Sequence, residues 1–234
     1  MGSQHRHWRP QLTSSESYRG WVFFALYLFV FPRLMGFLQK TLGEHWQLLP
    51  AEYSVIYYLL SVTLVVLVFW SFLRNGADIL LDWLPENLFA FGSGLVGAVA
   101  LTLLVNLIPL PVEDPFFDLY AEQFFYFPGA TVLILVVLTP IVEEVLFRGL
   151  MFGSLRKYSR PLGYAVTTLV YAFFQAQQYA FTPGSVDLRY LLLIIRYLPG
   201  SAALTWCYDN GGSIWTPVSL HMALNGICLF AAVH

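Results

Sequence analysis

The chain has 234 residues, of which 58% are hydrophobic and only 11% charged, well below the roughly 25% charged content of soluble domains. That balance excludes an ordinary soluble domain and predicts an all-α, polytopic integral membrane protein. A formal net charge of −2 leaves no basic surface for a nucleic-acid partner.

Residues 1–20 form a polar tail that carries Arg6, Arg9 and Arg19. The tail is too long and too mixed for a cleavable signal, and no small-residue cleavage site follows the first apolar run, so that run is expected to remain as an anchor. Runs long enough to cross about 30 Å of hydrocarbon then recur along the chain. Seven spans are predicted: Trp21 to Leu38, Tyr53 to Leu73, Leu88 to Ile108, Gly129 to Ser154, Leu162 to Phe181, Leu188 to Cys207, and Ser213 to Val233. Cys207 and Cys228 fall in or beside these runs, where a thiol packs as a small hydrophobe.

Lysine and arginine are retained on the cytoplasmic side of short connections. Arg6, Arg9, Arg19, Arg74, Arg156, Lys157 and Arg160 fall on one side, against Lys40 and Arg189 on the other. The N-terminus is therefore expected in the cytoplasm and the C-terminus outside, in a bacterial cytoplasmic membrane. The third connection, PLPVEDPFFDLYAEQFFYFPG, is acidic and aromatic and predicts a short helix at headgroup level. With no internal repeat or linker, residues 1–234 read as one integral domain.

Glu143, Glu144 and Arg148 stand inside the fourth span. An ion at bilayer depth costs roughly 2.5 to 3.5 kcal/mol even on insertion scales, so the three demand compensation. Glu144 and Arg148 are four apart, on one helical face, and read as a structural pair. Glu143 is rotated by about 100° from Glu144, so the same arginine does not serve it, and an unpaired intramembrane acid is a functional candidate. Pro140 should free a backbone carbonyl, kink the helix and open a small wet cavity beside Glu143.

Two further polar sets lie at comparable depth. A rise of 1.5 Å per residue puts Glu143 about 16 Å, Gln175 about 20 Å and His221 about 12 Å from the cytoplasmic ends of their spans. Tyr171 with Gln175, and His221 with Asn225, each repeat a spacing of four. Carboxylate, imidazole and amides together have the parts to activate water and stabilise an oxyanion. Taken singly, Gln175, Gln177, Gln178 and Asn225 also read as interhelical glue, and His221 as a satisfied core histidine. Arg33 can snorkel, whereas Arg196 is either a counter-ion for a carboxylate or a residue that faces substrate.

Glu143-Glu144-x-x-x-Arg148-Gly149, followed on a later helix by His221-x-x-x-Asn225, resembles the CPBP family of intramembrane proteases, also called the Abi or type II CAAX prenyl endopeptidase family. The segment Pro199-Gly200 through Asp209-Asn210-Gly211-Gly212-Ser213-Ile214-Trp215 leading into His221 is also similar to that family's last two helices, and the resemblance covers roughly Thr131 to Phe230. It implies peptide hydrolysis inside the membrane on a membrane-associated or prenylated substrate. Glu143 matches the general base on water, Glu144 and Arg148 the supporting pair, and His221 and Asn225 the residues that bind the tetrahedral oxyanion. The family's middle motif, FxxxH, falls here on Tyr171 and Gln175, so an amide stands where the family has a histidine. Gln175 orients water but accepts no proton, and it is a poor zinc ligand. No tightly bound zinc or other divalent metal is therefore expected, despite the family's metalloprotease label. The leading expectation is a glutamate-dependent endopeptidase of reduced or conditional activity. Its rival is a catalytically silent relative that binds another membrane protein, such as a sensor kinase or a bacteriocin-related partner. A proton-coupled transporter is disfavoured by the lack of repeated halves with matched broken helices.

Overall fold

A computed structural model describes residues 10–34, 36–37, 40, 50–182 and 185–234. Arg6, Arg9, His45 and the expected first-span end at Leu38 lie outside the described residues. Helix α1 (Ser14–Ala25) begins where Thr13 precedes Glu16 by three. The Thr13 hydroxyl oxygen accepts from the Glu16 N–H, and the Glu16 carboxylate accepts the Thr13 N–H and O–H in return. The other Glu16 oxygen accepts the N–H of Phe72 at 2.9 Å, in the first turn of a second helix. One buried acid thus satisfies open donors at two helix starts and ties them together.

Helix α2 (Pro50–Val68) ends at Phe69, whose φ of −115° and ψ of 27° leave helical geometry. The expected span Tyr53 to Leu73 is therefore divided. Its last residues belong to α3 (Trp70–Asp82), which buries Phe72, Leu73, Gly76 and Ile79 on one face and exposes Arg74, Asp78 and Asp82 on the other. Next come α4 (Leu84–Val105) and α5 (Phe116–Tyr126). Helix α5 is the short helix expected in the acidic connection, and it packs on the last helix.

Helix α6 (Pro128–Arg156) runs on as one continuous element, with widened π turns at Val132–Leu138 and Val145–Phe152. Residues 142–152 are all buried, the charged Glu143, Glu144 and Arg148 among them, which places this stretch at the centre of the bundle. Helix α7 (Arg160–Ala180) leads into a minimal antiparallel pair, β1 (Phe181–Thr182) with β2 (Ser185–Val186). A 3₁₀ turn at Leu188–Leu193 then opens α8 (Ile194–Gly211), and α9 (Trp215–Val233) closes the described chain.

Among the described residues five segments are long and apolar enough to cross a membrane: Ala51–Val68, Leu84–Val105, Pro128–Arg156, Leu188–Gly211 and Trp215–Val233. The expected span Trp21 to Leu38 is only partly described. The other expected span outside these five, Leu162 to Phe181, is a full-length helix, α7, whose Thr167, Thr168, Gln175, Gln177 and Gln178 dilute its apolar character.

Helix α8 packs along α4 and α7, and α9 packs on α4, α8 and α6. Around Phe147 on α6, Phe24 and Tyr171 meet its ring edge-on at 5.1 and 5.0 Å between centroids, and Phe174 lies at 5.2 Å. The connection into α9 turns at Gly212, whose φ of 83° suits a residue without a Cβ. Beyond it the Ser213 hydroxyl donates to Gly76 O at 2.7 Å and the Trp215 indole to Leu73 O at 3.1 Å, so the start of α9 is fixed on α3.

A Cβ built at Gly149 would meet the fully buried Phe72 ring at 2.8 Å. Gly149→Val is expected to cost about 1 to 3 kcal/mol through overpacking. The check is the thermal midpoint of the purified protein in detergent, which should fall, whereas the same change at Gly97, where an added Cβ would meet no atom within 4 Å, should move it much less.

Candidate active site

The buried half of α6 carries the acids. Arg148 donates from Nη1 to Glu144 Oε1 at 2.9 Å, with both side chains wholly inaccessible. Its Nη2 reaches the Ser201 carbonyl and hydroxyl, each at 3.2 Å, and its guanidinium lies 4.1 Å from the centroid of the Tyr171 ring. The same Glu144 oxygen lies 2.8 Å from His221 Nδ1. With the Arg148-bound carboxylate oxygen as acceptor, Nδ1 donates and the ring is oriented with Nε2 on its far side. Glu144 is thus structural in a fuller sense than pairing with Arg148 alone: it joins α6 to α9 and, through Arg148 and Ser201, to α8. Among the described residues its Oε2 and Arg148 Nε have no hydrogen-bond partner.

Glu143 faces a different set. Its Oε2 accepts the Tyr171 hydroxyl at 2.7 Å and Gln175 Nε2 at 2.9 Å, and Gln175 Nε2 also donates to the Tyr171 oxygen at 2.8 Å. Glu143 has no cation within ion-pair distance among the described residues, and two neutral donors hold it. Both bonds fall on one oxygen. The Tyr171 oxygen is 3.4 Å from His221 Nε2, so a single hydroxyl stands between the carboxylate and the imidazole. Tyr171 and Gln175 act together because their spacing of four puts both on the face of α7 turned to α6.

Asn225 reaches the site by another route. In the first π turn the Thr139 N–H bonds Ile134 O, five residues back. The next N–H in that pattern belongs to residue 140, which is proline and has none, so Leu135 O is left open. Asn225 Nδ2 donates to that carbonyl at 2.9 Å. The carbonyl that Pro140 was expected to free is thus taken by α9, and the strain is absorbed by a widened turn. One of the two Asn225 amide hydrogens is committed, and the other remains.

A cavity of about 290 Å³ is lined by Glu143, Tyr171, Gln175, His221 and Asn225, and also by Arg196. The six side chains singled out from sequence as a site or its surroundings thus share one space, while Glu144 and Arg148 stand behind it. Tyr120 of α5, outside the spanning segments, lines the same cavity, and desolvation pushes its phenol above the usual value, so it stays protonated as a donor. Sequence reasoning missed Ser201, which holds Arg148, and Asp209. The Asp209 carboxylate is buried and takes Arg156 Nε at 2.8 Å and Arg160 Nε at 2.7 Å, clamping the ends of α6 and α8 to the start of α7. No spacing rule links residues so far apart in the chain. Among the described residues no three His, Cys, Asp or Glu side chains converge as a metal site.

Fold and site together define an all-α integral membrane protein with a buried acid and imidazole opening on one internal cavity. Residues 126–227 match the family model of the type II CAAX prenyl endopeptidase Rce1-like proteins, in agreement with the resemblance read from the motifs. The match overlaps Thr131 to Phe230 and contains every site residue named above except those of α1 to α5. No curated protein and no solved structure matches the chain.

Removing one member of a buried ion pair strands the other, at a cost of roughly 3 to 5 kcal/mol. Arg148→Ala is expected to destabilise by that order in detergent denaturation. Arg148→Met combined with Glu144→Gln should recover part of the loss, because no charge is then left alone; equal losses in the single and double variants would contradict this account.

Proposed function

We propose that the protein is a glutamate-dependent intramembrane endopeptidase of the CPBP type, cutting a membrane-associated or prenylated peptide, with the N-terminus cytoplasmic and the whole chain one integral domain. The observation that carries this reading is the Tyr171 hydroxyl, 2.7 Å from Glu143 and 3.4 Å from His221, in a cavity all three line. It sets a carboxylate and an imidazole to act on the same bound group.

In this reading a water in the cavity gives its proton to Glu143 as its oxygen adds to the scissile carbonyl carbon. The developing oxyanion is met by the free Asn225 amide hydrogen and, in the imidazolium form, by His221 Nε2–H, while Nδ1–H stays on Glu144. Glu143 then passes its proton to the leaving nitrogen as the C–N bond breaks. Tyr171 and Gln175 hold the carboxylate by Oε2, which directs its other oxygen to water. Arg148 holds Glu144 in place beside His221 without touching the reacting atoms.

A catalytic zinc is held by three protein ligands with a position left for water. Glu143, Asp114, His221 and Cys228 line this cavity, but among the described residues no three such donors converge, and Glu144 Oε1 is already shared by Arg148 and His221. That donor set does not fit the metal, and no step is routed through one.

One observation favours a second reading. Both hydrogens of Gln175 Nε2 are engaged, on Glu143 and on Tyr171, and an amide accepts no proton. A protein so altered could serve as a silent relative that binds another membrane protein.

Glu143→Gln should lower cleavage of a membrane-tethered or prenylated peptide by about 10²- to 10⁴-fold with the fold retained, measured in proteoliposomes. Unchanged cleavage in that variant removes the base from Glu143. Gln175→His should raise the rate above the parent's, and if neither parent nor Gln175→His cuts any such peptide the silent reading stands.

A further inference from the structure

Arg196 is a cation of the same cavity that the chemistry above leaves unused. Helix α8 lines the cavity with Arg196, Tyr197, Gly200, Ser201 and Leu204, and the intervals of four make this one face of the helix. A Cβ built at Gly200 would meet no atom within 4 Å, so the face lies open between Arg196 and Ser201. Five residues of helix separate those two, or about 7.5 Å, close to two residues of extended peptide.

Among the described residues no carboxylate lies within ion-pair distance of Arg196, and its Nε is buried without a partner. Asp114 borders the same cavity, but its Oδ1 is taken by the Tyr197 hydroxyl at 2.9 Å and the Phe116 N–H at 3.0 Å. A half-buried guanidinium without an ion-pair partner favours a planar anion that it can grip with two parallel hydrogen bonds.

We propose that Arg196 binds a carboxylate of the substrate peptide, about two residues along the chain from the level of Ser201, while the bare backbone at Gly200 lets the peptide lie against α8. The proposal rests on the peptidase reading for its substrate, and it names a specificity residue for that site. The carboxylate is either the peptide's own C-terminus or an acidic side chain at that offset.

The test uses the full-length protein in nanodiscs and three matched membrane-tethered peptides: one with a free C-terminal carboxylate, its C-terminal amide, and the amide carrying Glu in place of Gln at the offset. Binding is measured by fluorescence anisotropy to Glu143→Gln and to Glu143→Gln with Arg196→Gln. One acid peptide should bind roughly 10- to 100-fold more tightly than its neutral twin, with the preference lost on Arg196→Gln and partly kept by Arg196→Lys. Preference for the free terminus assigns the C-terminal carboxylate, and preference for Glu assigns the side chain. In cleavage by the parent protein, Arg196→Gln should raise KM for the acid peptide about tenfold and leave kcat nearly unchanged. Equal binding of acid and neutral twins with Arg196 intact, or a preference that survives Arg196→Gln, overturns the proposal. The comparison of twins needs no variant at position 196, so a misfolded Arg196→Gln does not block it. A binding preference without any cleavage would retire the peptidase reading and leave this anion site standing.

Discussion

Three charged or chargeable groups meet on one oxygen, Glu144 Oε1, which takes Arg148 at 2.9 Å and His221 at 2.8 Å. In water this would be a modest cluster. Inside a bundle, where each ion loses its hydration, the same contacts decide whether the helices can be assembled at all. Arg148 passes the connection to Ser201 on α8 and covers the Tyr171 ring on α7, so α6, α7, α8 and α9 are held by one desolvated centre. Partners are placed where leaving them apart would be worst.

That centre also divides labour between adjacent acids. Glu144 points to the cation and the back of the imidazole, whereas Glu143, rotated by about 100°, points to the cavity and to neutral donors. Tyr171 and Gln175 hold Glu143 without neutralising it. The imidazole spans both sides, with Nδ1 on Glu144 and Nε2 toward Tyr171. Two neighbouring carboxylates thus acquire different surroundings from a single turn of helix.

Backbone irregularity makes the remaining connection. Pro140 supplies no N–H to the widened turn before it, Leu135 O is open for that reason, and Asn225 closes it from α9. A regular helix would have consumed that carbonyl internally and left Asn225 to find another partner. The proline therefore positions a side chain that stands 85 residues later in the chain.

The sequence by itself determined the solvent, the helical class and the suspects. Apolar runs set the spans to within a turn or so for Leu88 to Ile108 and Gly129 to Ser154, because hydrocarbon thickness imposes a length that composition reports directly. The intervals of four in Glu144–Arg148, Tyr171–Gln175 and His221–Asn225 were legible because helix geometry is local. What it did not determine was each side chain's partner. The division at Phe69, Glu16 capping a helix 56 residues away, Ser201 on Arg148, Asp209 between two arginines, and the two donors on Glu143 all join separate elements. Only the tertiary structure decided these. Periodicity fixes which face of a helix a residue occupies, while the identity of the opposing face depends on how all the helices pack once water is gone.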